Sequence, residues 1–181
     1  MATSTQDALP VINTNTSATA TTYTASAANI TAAATATDIF TITGSATKTI
    51  SIKKIAINGL QTTGGQISVI MLKRSTANTV GTFTAQTAVP NDSANIAASG
   101  TVLAYTANPT VGTLTGNIHS DRVFLPGAAT AADAQGLFYA FGDIGQQAIV
   151  LRGVNQVFAI NLAGATITGG SINANIEWQE A

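Results

Sequence analysis

The stretch Ser171-Ile172-Asn173-Ala174-Asn175-Ile176-Glu177-Trp178 decides the fold class. Its apolar and polar side chains alternate one by one, which is the pattern of a β-strand with one buried face and one face toward solvent. We therefore expect Ile172, Ile176 and Trp178 to lie on the buried side of a sheet.

Similar short runs occur along most of the chain and are separated by turn residues. Clear examples are found at 38–43, 49–57, 67–72, 101–107, 137–141, 148–151 and 157–162. About eight or nine such strands, without a convincing amphipathic helix, predict an antiparallel β-sandwich or barrel. Within 49–57 the inward positions change from Ile50 and Ile52 to Ile55 and Ile57, which indicates a β-bulge or a strand buried on both faces in turn.

The N-terminal part of the chain has a different composition. Of the 25 residues at 13–37, 23 are Ala, Ser, Thr or Asn. Such a segment cannot bury enough apolar area by itself to offset the entropy of ordering. We expect residues 1–36 to form an arm, ordered only against the body or a neighbour, and residues 37–181 to form the sandwich. A plain flexible tail is the alternative. The apolar anchor of the arm, and a candidate interface, is formed by Leu9, Val11 and Ile12.

The overall composition excludes several classes of protein. Only 15 of 181 residues are charged, the hydrophobic fraction is 45%, and there is no cysteine. No disulfide framework, thiolate metal site or cysteine nucleophile is therefore expected. Seven scattered basic residues give no electrostatic footprint for nucleic acid, and no apolar run is long enough for a membrane span.

The first residues lack a secretion signal, which predicts cytoplasmic synthesis. So few charges favour a subunit that hides its surface in an assembly over a chance composition.

The residues that could carry catalysis do not form a recognisable set. His119 is the single imidazole, and its neighbours Ser120 and Asp121 would point to alternating sides of an extended chain. The carboxylates are far apart in sequence, and the glycine-rich stretches lack the lysine and spacing of a phosphate loop. We expect no catalytic, cofactor-binding or metal site, and a hydrogen-bonding role for His119 in a loop or interface. Arg152 lies among apolar residues and is expected to form an inter-strand or intersubunit ion pair.

The basic residues form the one concentration of charge. Lys53 and Lys54 fall on one strand candidate, and Lys73 and Arg74 fall on the next, so the two pairs could meet across a hairpin. Lysine and arginine at this position protect a sheet edge against strand addition, or form a patch that docks on an acidic partner. In the second interpretation these four residues are interface candidates.

A set of short blocks, taken together, resembles small structural proteins of tailed bacteriophages. The blocks are DIFTITG at 38–44, KTISIKKI at 48–55, LKRSTAN at 72–78, YTANP at 105–109, IVLRG at 149–153 and EW at 177–178. The resemblance covers roughly residues 36–181. It implies a virion component with a jelly-roll-like β-sandwich, and specifically a capsid cement or decoration protein that forms homotrimers and binds the major capsid protein or other virion subunits. A head fibre, neck or tail-associated protein that recognises a host receptor or glycan is the alternative.

Overall fold

The computed structural model describes residues 20–128, 135–143 and 145–181, and within these ranges the chain forms twelve β-strands and no α-helix. The strands pack as two antiparallel sheets, so the expected β-sandwich is confirmed. Their bounds are β1 Thr21–Ile30, β2 Ala36–Thr43, β3 Ile50–Leu60, β4 Gly65–Arg74, β5 Phe83–Gln86, β6 Val89–Pro90, β7 Thr101–Tyr105, β8 Leu114–Leu125, β9 Leu137–Ala140, β10 Ile149–Leu151, β11 Val157–Ala165 and β12 Ser171–Glu180.

The strand order shows that the second half of the chain folds back on the first half. Sheet A has the order β10-β3-β12-β1-β6, with β9 on the same edge of β3 as β10, and sheet B has the order β5-β7-β2-β11-β4-β8. The pairs are nested: β1 pairs with β12, β2 with β11, β3 with β9 and β10, and β4 with β8. The first four strands therefore alternate between the two sheets, and each sheet buries its inner face against the other.

The buried face of β12 is the one that the alternation predicts. Ile172, Ile176 and Trp178 are buried in the core together with Ala174, while Asn173, Asn175 and Glu177 face outward. The bulge expected in β3 is also found, because the register shifts between Ile52 and Lys54 and leaves Lys53 without a partner on β12. The short-range pattern of apolar residues thus sets both the face and the local irregularity of these central strands.

The expected arm is corrected in part by β1. Thr21–Ile30 pairs with β12 along most of its length, and its inward side chains Tyr23, Ala25, Ala27 and Ile30 are buried. The sandwich therefore begins no later than Thr21 instead of at residue 37. Small Ala side chains fill the inner positions here, so a segment of low hydrophobicity still forms a buried strand. Leu9, Val11 and Ile12 lie outside the described residues.

Candidate functional site

The four basic interface candidates do not form one patch. Lys53 and Lys54 lie on β3 in sheet A, whereas Lys73 and Arg74 lie on β4 in sheet B. The connection between β3 and β4 crosses the sandwich, so the expected meeting of the two pairs across a hairpin is wrong.

Arg74 is buried and cannot dock on a partner, which corrects its assignment as an interface residue. Its Nε and Nη2 donate to the two carboxylate oxygens of Asp38, each at 2.7 Å. Asn78 and Asn161 each donate a further hydrogen bond to Asp38, at 2.8 and 2.7 Å. A buried charge is tolerated only when it is paired and fully hydrogen-bonded, and this network meets that condition.

The same network fastens two loops onto the outer face of sheet B. We call residues 75–82 and 106–113 the loop layer. Arg74 Nη1 donates to the carbonyl of Gly112 at 2.8 Å, and the Gly112 amide donates to Asn78 Oδ1 at 2.9 Å. The backbones of Thr79 and Thr110 are joined by two hydrogen bonds of 2.9 and 2.7 Å. Because the loop layer is tied both to the sheet and across itself, it forms a defined third layer.

An exposed apolar residue in an unusual backbone conformation lies in the loop layer. Val80 is 78% exposed and has a φ of 58°, in the left-handed region. A β-branched residue rarely adopts this conformation because its side chain crowds the backbone. Val111 of the loop layer and Leu114, at the start of β8, are also exposed. The loop layer therefore presents apolar side chains to solvent on the side away from the core.

The other three basic candidates and Arg152 have different surroundings. Lys73 donates from Nζ to the carbonyl of Val150 at 2.7 Å and so links the two sheets, and burial, together with the charge of Arg152, lowers its pKa. Lys53 occupies the bulge and is half-buried. Lys54 is exposed and forms an ion pair with Glu177 at 3.2 Å. Arg152 is exposed, and its expected ion pair is not found among the described residues.

The outer face of sheet A has a regular arrangement of side chains around a shallow depression. One row across four strands consists of Ser26, Asn175, Ala56 and Phe138, and the next consists of Thr24, Glu177, Lys54 and Ala140. Phe138 is 66% exposed. The depression, of about 170 Å³, is lined by Thr24, Lys54, Ala56, Phe138, Asn175 and Glu177.

His119 lies on β8 in the seam between the edges of the two sheets, not in a loop. Its ring is 4.9 Å from the ring of Tyr139, and Tyr139 Oη donates to Asp121 Oδ2 at 2.6 Å. Burial and the bond to Asp121 raise the pKa of Tyr139 to about 12, while the same bond lowers the pKa of Asp121. These contacts join β8 to β9, and they bring no nucleophile to His119.

Glu180 is a buried carboxylate whose role the sequence did not indicate. It accepts hydrogen bonds from the amides of Ser99 and Gly100 and from the Trp178 indole at 3.0 Å. Burial alone would raise the pKa of Glu180, but the donors from Ser99, Trp178 and Gly100 outweigh it and lower the pKa. Glu180 thereby holds the segment before β7 against the last strand.

Two further observations concern sites and membranes. Within the described ranges, no three His, Cys, Asp or Glu side chains are grouped so that they could hold a metal ion. None of the described residues belongs to a helix long and apolar enough to cross a bilayer.

The chain matches no known protein family, no curated protein and no solved structure.

Proposed function

We propose that the protein is a structural subunit of a tailed-phage virion, a cement or decoration protein that binds the major capsid protein across neighbouring subunits. In this proposal the loop layer on sheet B is the attachment surface. The observation that carries it is Val80, an exposed β-branched residue held in the left-handed conformation.

The conformation of Val80 costs free energy that the isolated chain does not recover. A left-handed backbone at a non-glycine residue costs roughly 1–2 kcal/mol, and more when the side chain is β-branched. A largely exposed side chain offsets little of this cost. Burying Val80 against a partner would contribute roughly 1.5–3 kcal/mol. Contact of the loop layer with another protein would therefore offset the cost of the left-handed conformation at Val80.

The surface charge supports a role in assembly. Thirteen of the fifteen charged residues are described, and three of them, Asp38, Arg74 and Glu180, are buried. Only ten described charges remain for the surface, and so few charges protect weakly against association. We infer that the subunit forms a closed homotrimer, as the resemblance implies. We also infer that the nested strand pairing is the double Greek-key winding of a jelly roll.

The test is binding to capsids prepared from a phage whose gene for this protein has been deleted. The wild-type chain should bind these capsids saturably and co-sediment with them. Val80→Asp places a charge at the proposed contact and should weaken binding by at least about tenfold. Val154→Asp is the matched control, because Val154 is also exposed, at 52%, but lies in the turn before β11. Failure of the wild type to bind, or equal binding by Val80→Asp, would overturn the proposal.

A second candidate role is a virion surface protein that recognises a host glycan or receptor. A different observation favours it, namely the exposed ring of Phe138 beside the depression on the outer face of sheet A. The two roles use opposite faces of the sandwich and are compatible in one subunit.

A further inference from the structure

We infer that the depression over Ala56, on the outer face of sheet A, is a binding site for one neutral pyranose unit of a glycan. This inference deepens the second candidate role and does not depend on capsid attachment. It rests on three features of the depression: an aromatic wall, an uncommitted amide and a neutral ion pair.

The floor and walls of the site follow from the register of the sheet. Ala56 lies between Phe138 on β9 and Asn175 on β12, in one row across three neighbouring strands. Each neighbour is one strand spacing, about 4.8 Å, from Ala56. The single methyl group of Ala56 therefore forms a floor between two larger side chains, and the gap has the width of one sugar ring.

Phe138 provides the apolar wall. Its side chain extends to the outer side of an edge strand and is 66% exposed, so the ring makes little contact with the core of its own chain. The C–H-rich side of a pyranose is apolar and packs well on an aromatic face, which carries a partial negative charge. An exposed phenylalanine beside a depression is thus suited to this side of a sugar.

Polar groups on the other sides of the depression are placed to form hydrogen bonds with the hydroxyl groups of the sugar. The Asn175 carboxamide makes no hydrogen bond with any described residue, so its donors and its acceptor are available. In the next row Lys54 and Glu177 form the 3.2 Å ion pair, and both remain partly exposed. An ammonium group can donate to a sugar oxygen and a carboxylate can accept from a hydroxyl. Because the two charges cancel, a neutral sugar fits better than an anionic one.

The experiment measures sugar binding by saturation-transfer-difference NMR on the full-length protein. The probes are glucose, galactose, mannose, N-acetylglucosamine and N-acetylgalactosamine at about 50 mM, because a shallow site for one sugar binds in the millimolar range. We expect at least one of them to show transfer to its ring protons. Phe138→Ala should weaken the binding of that sugar about tenfold. Ala56→Leu, whose larger side chain fills the floor of the depression, should abolish the saturation transfer.

The control and the opposing outcomes separate this inference from other roles of the face. Phe83→Ala removes a second exposed phenylalanine, 50% exposed on β5 of sheet B, and should bind sugar as the wild type does. Val80→Asp should also bind sugar normally, even where capsid binding is lost. Absence of transfer from all five sugars, or equal transfer with Phe138→Ala and Ala56→Leu, would overturn the inference. So would a lower mass of Phe138→Ala in light scattering without any sugar signal, because the face would then be a contact between copies. If Phe138→Ala does not fold, as judged by circular dichroism, Ala56→Leu decides the matter.

Discussion

The phenol ring of Tyr23 and the indole of Trp178 stack in the core, with centroids 5.7 Å apart and ring planes inclined by 25°. Tyr23 belongs to the first strand and Trp178 to the last, and the two residues are direct partners in the β1–β12 pair. The Tyr23 hydroxyl also donates to the carbonyl of Ile96 at 3.0 Å. One aromatic pair thus joins both ends of the described chain to a connecting segment in the middle.

We predict that Tyr23→Ala lowers the free energy of unfolding by about 3–5 kcal/mol, since it removes a large buried side chain and leaves a cavity. Urea denaturation of the purified protein measures the change. Ser26→Ala is the control, because Ser26 lies on the exposed side of the same strand and should change stability by less than about 0.5 kcal/mol. Equal small effects of both substitutions would show that β1 does not contribute to the sandwich.

We predict that Asp38 and Arg74 are strongly coupled. Either Asp38→Leu or Arg74→Met alone leaves an unpaired buried charge and should cost about 3–5 kcal/mol. The double variant removes both charges and should be much less destabilised than the sum of the single variants. A double-mutant cycle by chemical denaturation tests this. Additive losses would mean that the ion pair carries no coupling and that the loop layer is held by other contacts.

We predict a loss of stability in acid that depends on Glu180. The folded-state pKa of Glu180 is lowered below the ordinary carboxyl value of 4.5. Its contribution to the free energy of unfolding is therefore complete above pH 4.5 and is lost as the pH falls through the folded-state pKa. Glu180→Gln should cost about 2 kcal/mol at pH 7 and should flatten the fall in thermal stability below pH 4.5. Glu177→Gln changes an exposed ion pair and should leave the acid profile unaltered. Parallel profiles for wild type and Glu180→Gln would contradict the prediction.

We predict that Val80→Gly stabilises the isolated protein by about 1 kcal/mol, because glycine adopts the left-handed conformation without a steric cost. Thermal unfolding gives the sign of the change. Val111→Gly is the matched control in the same loop layer, where φ is not positive, and it should not stabilise. The same Val80→Gly variant should bind capsids more weakly than wild type. A less stable Val80→Gly protein would show that the strain at this residue is small.

The strand pattern of the sequence was enough to predict the sandwich and the buried face of β12. It failed for β1, because Thr, Ala and Ser alternate there without the large apolar side chains that mark a strand. The inner positions Ala25 and Ala27 are small, and their burial becomes visible only when the segment lies against the rest of the core. Tyr23 and Ile30 were the only large side chains that could have indicated a buried face.

The functional surfaces depend on contacts that are distant in sequence. Arginine is usually a surface residue, and the burial of Arg74 is explained only by its pairing with Asp38, 36 positions earlier. The apolar run 137–141 gives no means of telling that Phe138 faces outward from an edge strand while its neighbours face the seam. Val80 has its positive φ directly after Thr79, which pairs with the distant Thr110, and no feature of the local sequence indicates this conformation.

The nested strand pairing has a consequence for how the protein is made. The centre of sheet A is β12, the last of the twelve described strands to leave the ribosome, and it pairs on its two sides with β1 and β3, which are among the first. Sheet A therefore cannot close until β12 has been synthesised, and until then β1 and β3 each lack a neighbour. Pairings between strands so far apart along the chain also form slowly. A nascent chain of this protein consequently has open strand edges until β12 emerges, and a product that ends before Ser171 has no route to the native sheet.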